Sequence, residues 1–227
     1  MKILGIDTST KFLSIGILDN AKIYEYNLEL GRKHSSLLAV SIKRVLDALG
    51  WRGSDVDYFA CGLGPGSFTG VRIGLSAIKG LGWALKKPLV GISTLDILAQ
   101  NARLADKRHV SVVPALDAKR SFIYCSVYKN KEGPLERTMP YALVTLDEFF
   151  KKIKPNSIVL GDALTLYKDQ ILKNIKGTRI LEKDYWYPVG RSIVSLALEK
   201  IKKNKIDNVF SIKPIYLYPK ECQIKKY

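Results

Sequence analysis

The chain has 227 residues, 47% hydrophobic and 26% charged, which excludes wholesale disorder and bounds the fold to one or two domains. Lys and Arg number 37 against 21 Asp and Glu, a net charge of +16. That field favours nucleic acid, a nucleotide or an acidic protein as partner and says nothing of fold. The excess is uneven: 15 basic and 9 acidic side chains over 1–108 (+6), 22 and 12 over 109–227 (+10). A Lys-rich solubilising surface explains the same count.

Residues 2–7 form a short apolar run ending in Asp7, and 12–18 and 22–30 read as two further strands joined by a turn at Asp19-Asn20. A helix follows from about Ser35, with Leu38, Ile42, Val45, Leu46 and Leu49 on one face and Gly50 at its end. Residues 57–63 read as a buried strand, 70–86 as a helix, 89–92 as a strand, and Thr94 caps a helix to about 104. This βββαβαβα order is the pattern of a ribonuclease H-like layer.

The second half begins alike. Val113–Asp117, a turn and the strand Ser121–Tyr128 repeat the start of the chain, with Asp117 and Phe122 each 110 residues after Asp7 and Phe12. A strand at Ser157–Gly161 and helical stretches near 146–153 and 189–203 follow. The repeat reads as an internal duplication, or as a chance likeness of two strand-turn-strand units. With a break near 105–109, the expected lobes are 1–106 and 107–227. Two such lobes make an α/β protein of the actin-like, or ASKHA (acetate and sugar kinase, heat-shock, actin), superfold.

Cys61, Cys125 and Cys222 cannot form a paired disulfide framework, and Cys61 and Cys125 sit in apolar runs. With no signal peptide and no 18-residue apolar stretch, a reducing cytoplasm without membrane attachment is expected. His34 and His109 are the only histidines, and CxxC, HxxxH and HExxH are absent, so no dedicated metal site is expected.

Two segments carry anion-binding chemistry. The turn Asp7-Thr8-Ser9-Thr10 offers hydroxyls and exposed backbone for phosphate, or is a hairpin turn in which Asp7 bonds its own backbone. In the loop Gly64–Gly70, Gly64 and Gly66 allow close approach and Ser67 or Thr69 can cap the following helix, leaving its first N–H groups free. The loop is not a P-loop, because GxxxxGK[ST] is absent. A glycine turn with a capped helix and no ligand fits it too.

The helix after this loop contains Gly70, Gly74, Gly80 and Gly82. Each costs about 1 kcal/mol relative to Ala, so close packing must offset about 3–4 kcal/mol. Gly70, Gly74, Ala77 and Leu81 share one face. Packing on the protein's own sheet and a helix-to-helix subunit interface both explain it.

Gly5-Ile6-Asp7-Thr8-Ser9, Lys33-His34-Ser35 before a Leu-rich helix, the run Gly64 to Arg72, Gly80-Leu81-Gly82 with Lys87-Pro88-Leu89-Val90-Gly91, and Asp117-Ala118-Lys119-Arg120 together resemble the TsaB (YeaZ) family of bacterial tRNA threonylcarbamoyladenosine synthesis. The match is specific over about 1–125. Beyond it, Pro214-Ile215-Tyr216-Leu217 resembles the family's ending, with Tyr218 where Arg is frequent. The resemblance implies a non-catalytic subunit that pairs with a TsaD-like transferase. The complex moves threonylcarbamoyl onto N6 of the adenosine beside the tRNA anticodon. It implies pairing through helices 33–49 and 70–86, with Leu38, Ile42, Gly70, Gly74, Ala77 and Leu81 at the interface, and self-association through the same surface. A TsaE-like ATPase joins the assembled pair, tRNA is met through the complex, and ATP or ADP is expected, if anywhere, at the subunit junction, with no cofactor intrinsic to this chain. TsaD carries two metal-binding histidines four apart where this chain has Thr94 and Leu98, so metal-dependent transfer by this chain alone is not expected. A stand-alone nucleotide-dependent kinase or ATPase of the actin-like fold, and a stand-alone tRNA-binding protein, are the rival readings.

Overall fold

The structure, a computed structural model, describes residues 1–31, 33–105, 111–129 and 135–218. The expected break near 105–109, His109 and Cys222 lie outside the described residues, except for Ala105 at the end of a helix. Strands β1 (Lys2–Asp7), β2 (Phe12–Asp19) and β3 (Lys22–Glu29) lead into α1 (His34–Ala48), β4 (Tyr58–Gly62), α2 (Phe68–Ala84), β5 (Leu89–Ile92) and α3 (Thr94–Ala105). A second set repeats this order: β6 (Ser111–Asp117), β7 (Phe122–Lys129), β8 (Glu136–Thr145), α4 (Leu146–Lys152), β9 (Ile158–Leu160), α5 (Leu164–Asn174), β10 (Arg179–Ile180) and α6 (Gly190–Lys202). The two sheets run β3-β2-β1-β4-β5 and β8-β7-β6-β9-β10, the same topology twice. In each, the first three strands are antiparallel and the next two add in parallel. This is the α/β fold of two ribonuclease H-like, actin-like units.

The first unit comprises Met1–Asn101 and Tyr187–Pro214; the second comprises Ala102–Trp186 and, among the described residues, the chain from Ile215. A division at 106/107 puts 187–214 in the second lobe, and the structure corrects it. Helix α6 packs on β1, β2 and β3 of the first sheet. The cause is a close backbone approach: a Cβ on Gly16 of β2 would fall on the Gly190 carbonyl, and one on Gly190 would fall on the Ile15 carbonyl. Asn27 Oδ1 then accepts from Gly190 N (3.3 Å), Glu25 Oε2 from Arg191 N (3.1 Å), and the Pro188 carbonyl from Ser14 Oγ (2.5 Å).

Side chains alternate across β1, so the first sheet is apolar on both faces. One face sets Leu4, Ile6, Leu13 and Ile15 against Leu38, Ile42 and Leu46 of α1 and Leu75 and Ile78 of α2. The other sets Ile3, Leu18, Val90 and Ile92 against Ile97 of α3 and Ile193, Val194, Ala197 and Ile201 of α6. In the second unit α4 starts with a reciprocal cap. Thr145 Oγ1 accepts from Glu148 N and Glu148 Oε2 accepts from Thr145 N (2.9 Å).

Candidate functional site

The eight residues expected to hold phosphate do come together, at the C-terminal ends of β1 and β4. Asp7 is fully buried, and Thr8, Ser9 and Thr10 are buried behind it. Ser9 N and Ser9 Oγ both donate to Asp7 Oδ1 (2.7 and 2.6 Å). Thr94 Oγ1 stands 3.0 Å from both Asp7 Oδ2 and Ser9 Oγ. The α3 cap is therefore one residue earlier than expected: Ser93 Oγ accepts from Leu95 N (3.2 Å), and the Thr94 hydroxyl turns inward to Asp7.

The glycine loop closes over this cluster. The Ser9 carbonyl accepts from Ser67 N (2.7 Å), and the Gly64 carbonyl accepts from Thr94 N (2.8 Å). Ser67 Oγ caps α2 by accepting from Gly70 N (3.2 Å), while Thr69 is exposed. Thr8 Oγ1 donates to the Gly70 carbonyl (2.7 Å), and Thr10 Oγ1 accepts from Phe12 N (3.3 Å). A Cβ on Gly66 would strike the Ser9 carbonyl, one on Gly70 the Thr8 carbonyl, one on Gly74 Thr8 Oγ1, and one on Gly62 the Asp7 carboxylate. Glycine is needed here for the protein's own packing.

A nucleotide phosphate needs donors that are free. In this turn the Thr8 and Ser9 hydroxyls donate to protein acceptors, so these two are not free to donate to an anion. Burial holds the Asp7 carboxyl above its ordinary range, against the bonds from Ser9 and Thr94 that lower it. Leu98 is fully buried, and no group of three or more His, Cys, Asp or Glu that could hold a metal occurs among the described residues. Burial pushes both Cys61 and Cys125 up, the latter to about 12, so neither is a reactive thiolate.

The second unit's equivalent turn is built differently. Lys119, Arg120 and Ser121 all have left-handed backbone (φ 65°, 51° and 63°). Asp117 accepts from Lys119 N (2.8 Å), and Asp162 Oδ1 accepts from Asp117 N (2.8 Å). Tyr218 Oη donates to the Ala118 carbonyl (2.8 Å) and packs edge-on against Phe122 and Tyr124. Burial, with the nearby Asp117 charge, raises Asp162 to about 6. A raised carboxyl favours the fold at low pH and loses that contribution as pH climbs from the unfolded value to the folded one. Asp162→Asn, whose Oδ1 still accepts from Asp117 N, is expected to gain stability over the parent between about pH 4 and 6. The gain levels off near 1–2 kcal/mol above that window. Denaturant midpoints of both proteins across pH 3–8 check it; an advantage that shrinks with rising pH would contradict it.

The interface residues expected from sequence divide by burial. Leu38 and Ile42 lie in the core and Gly70 and Gly74 lie against Thr8, so these four serve this chain's own packing. Ala77 and Leu81 are half-buried against the same core. The face that α2 turns outward carries Arg72, Ser76, Gly80 and Ala84, each four residues apart, beside Trp83, which is 67% exposed. A Cβ on Gly80 would meet nothing within 4 Å. Val40 of α1 is also exposed, and Ile73, three residues before Ser76 on α2, is half-buried. The four-residue spacing of Ser76, Gly80 and Ala84 was the sequence signal for this small-residue stripe.

A family profile described as TsaD, tRNA N6-adenosine threonylcarbamoyltransferase, matches residues 28–186. The chain is 33% identical over 183 residues to the tRNA threonylcarbamoyladenosine biosynthesis protein TsaB of Bacillus subtilis (strain 168), across 79% of this chain and 78% of that protein. It is 30% identical over 213 residues to the TsaB protein of Buchnera aphidicola subsp. Schizaphis graminum (strain Sg), across 92% of this chain and 98% of that one. Among solved structures, YeaZ from Pseudomonas aeruginosa superposes with a TM-score of 0.82 at 25% identity, over 95% of this chain and 100% of that chain. Related to TsaD over most of its length and to the TsaB proteins over more of it still, the chain belongs to the TsaB family of tRNA threonylcarbamoyladenosine biosynthesis proteins.

Proposed function

We propose that this chain is a non-catalytic cytoplasmic subunit that pairs with a TsaD-like transferase and supports threonylcarbamoyl transfer to N6 of the adenosine beside the tRNA anticodon. The observation that carries the pairing is the outward face of α2. A stripe of Ser76, Gly80 and Ala84 lets a second helix approach closely, and exposed Trp83 supplies an anchor of the type that dominates interfaces. The profile match to TsaD supports a partner built on the same unit, whose corresponding helix would pack in the same way. A second copy of the chain meets the same surface when the partner is absent, and a TsaE-like ATPase joins the assembled pair. ATP or ADP, if bound in the assembly, is held at a subunit junction.

The non-catalytic part rests on committed chemistry: the Asp7 carboxylate and the Thr8, Ser9 and Thr94 hydroxyls are tied to each other and to backbone. A stand-alone kinase or ATPase has no comparable support.

Gly74→Arg would test folding, since that position faces Thr8. Gly80→Arg tests pairing, because the new side chain enters open space on the monomer. Mixed with the TsaD-like subunit, the parent is expected to elute as a heterodimer, and Gly80→Arg to lose affinity at least about 100-fold with unfolding unchanged. Equal pairing by a folded Gly80→Arg protein would sink the interface reading.

A further inference from the structure

We propose that the segment from Lys202 to Lys213 is an RNA-docking surface, with Phe210 as a base-stacking platform and Lys202, Lys203, Lys205 and Lys213 as phosphate contacts. The inference rests on the reading that this chain serves a tRNA-modifying assembly, and it assigns a surface that the reading leaves open.

The backbone of this segment is held in place. After α6 it crosses the edge of the first sheet, where β5 would otherwise present unpaired groups. Asp207 bridges Leu89, its N–H donating to the Leu89 carbonyl (2.8 Å), and its carboxylate accepts from Gly91 N (2.8 Å). Ile212 is buried over Gly91, and Val209 packs on the core.

That anchoring decides what faces out. Asp207 is the only acidic residue between Lys202 and Lys213, and its carboxylate is turned to the β5 backbone and pairs with none of these lysines. Lys200 is also withdrawn, its Nζ donating to the Gly91 carbonyl (2.5 Å). Lys202, Lys203, Lys205 and Lys213 are exposed, and among the described residues none of them is in an ion pair. Phe210 projects from the same segment at 75% exposure, the most exposed large apolar side chain described. Lys86 and Lys87 lead into β5 beside the bridge.

Four exposed cations without ion pairs and one outward aromatic on the same fixed segment match a chain of phosphates with unstacked bases: the cations track phosphate, and the ring stacks on any base. An anionic membrane would select a broader apolar face than Ile206 and Phe210 offer. An acidic peptide gives no reason for the exposed ring.

The test uses the full chain and a fluorescently labelled unmodified tRNA transcript, read by anisotropy between about 50 and 200 mM salt. The variant K202Q/K203Q/K205Q/K213Q is expected to bind at least about 10-fold more weakly at low salt, with its log K against log salt slope reduced by about 3. Phe210→Ala is expected to lose about 10-fold at every salt concentration with the slope kept, and Phe210→Trp to regain it. All five positions are exposed, and matched unfolding curves confirm that each variant is folded. Unchanged affinity and slope in the quadruple variant would overturn the proposal. So would patch-dependent binding to phosphatidylserine-containing vesicles that exceeds binding to tRNA. The two proposals fail separately. A chain that pairs with the TsaD-like subunit but shows no patch-dependent RNA binding sinks this one alone. Patch-dependent binding by a chain that never pairs sinks only the proposed function.

Discussion

Replacing Gly70 by Ala is expected to destabilise the protein by about 2–3 kcal/mol, although both residues are helical and Ala is the better helix former. The new Cβ would strike the Thr8 carbonyl, a backbone atom that cannot swing away, at the point where Thr8 Oγ1 donates to the Gly70 carbonyl. Gly80→Ala, six residues past Gly74 on the same helix, meets open space and is expected to stabilise by about 1 kcal/mol. Gly82→Ala lies between them, because its neighbour at 2.5 Å is the far end of the Leu89 side chain, which can shift. Urea unfolding of the three variants measures the order. A Gly70→Ala protein as stable as Gly80→Ala would mean that α2 does not pack on the β1–β2 turn as described.

That series also separates the two explanations of the glycines in α2 that the sequence leaves open. They fall to different residues: Gly70 and Gly74 serve the protein's own packing, and Gly80 lies on the outward face that the proposed pairing would use. The helical face drawn through Gly70, Gly74, Ala77 and Leu81 is the inward one. Glycine spacing alone cannot tell the two apart, because a close approach to one's own turn and to another chain have the same local signature.

Elsewhere legibility followed the strength of the local pattern. In the first unit every strand and helix is legible within a few residues, because β1 and β2 alternate against apolar helices on both sides. The 110-residue offset between Asp7 and Asp117 marks a duplication that the two sheet orders bear out strand for strand. Three elements were not legible. Strand β8 is exposed over much of its length and carries Pro140. Helix α5 buries only Leu164 and Ile171, seven residues apart, too thin a stripe to read as an amphipathic face. Strand β10 is two residues long. The return of α6 to the first sheet was also hidden. It depends on Gly16 meeting Gly190 across 174 residues, and no window of sequence contains both.

Asp7→Ala is expected to cost about 3–5 kcal/mol, the largest effect of any single change at the candidate site. It leaves Ser9 N, Ser9 Oγ and Thr94 Oγ1 buried without their acceptor. Asp7→Asn should behave in the opposite way. Its Oδ1 still accepts from Ser9, and its Nδ2 can donate to Thr94 Oγ1 once that hydroxyl rotates. Burial already raises the Asp7 carboxyl, so the ionised form is the one the fold disfavours. The contribution of a raised carboxyl is present below its unfolded value and is lost as pH rises through the folded one. The neutral amide is spared that loss, so Asp7→Asn should match or exceed the parent at pH 7, with the advantage vanishing toward pH 4. The pair of variants therefore carries a functional consequence. If Asp7 served phosphate or a metal, Asp7→Asn would lose activity in the assembly while keeping its fold. If it is the centre of a closed hydrogen-bonded knot, Asp7→Asn complexed with the TsaD-like subunit should modify tRNA at the parent's rate, and Asp7→Ala should fail by unfolding. A folded, paired Asp7→Asn protein with tRNA modification cut more than about tenfold would overturn the non-catalytic assignment of this turn.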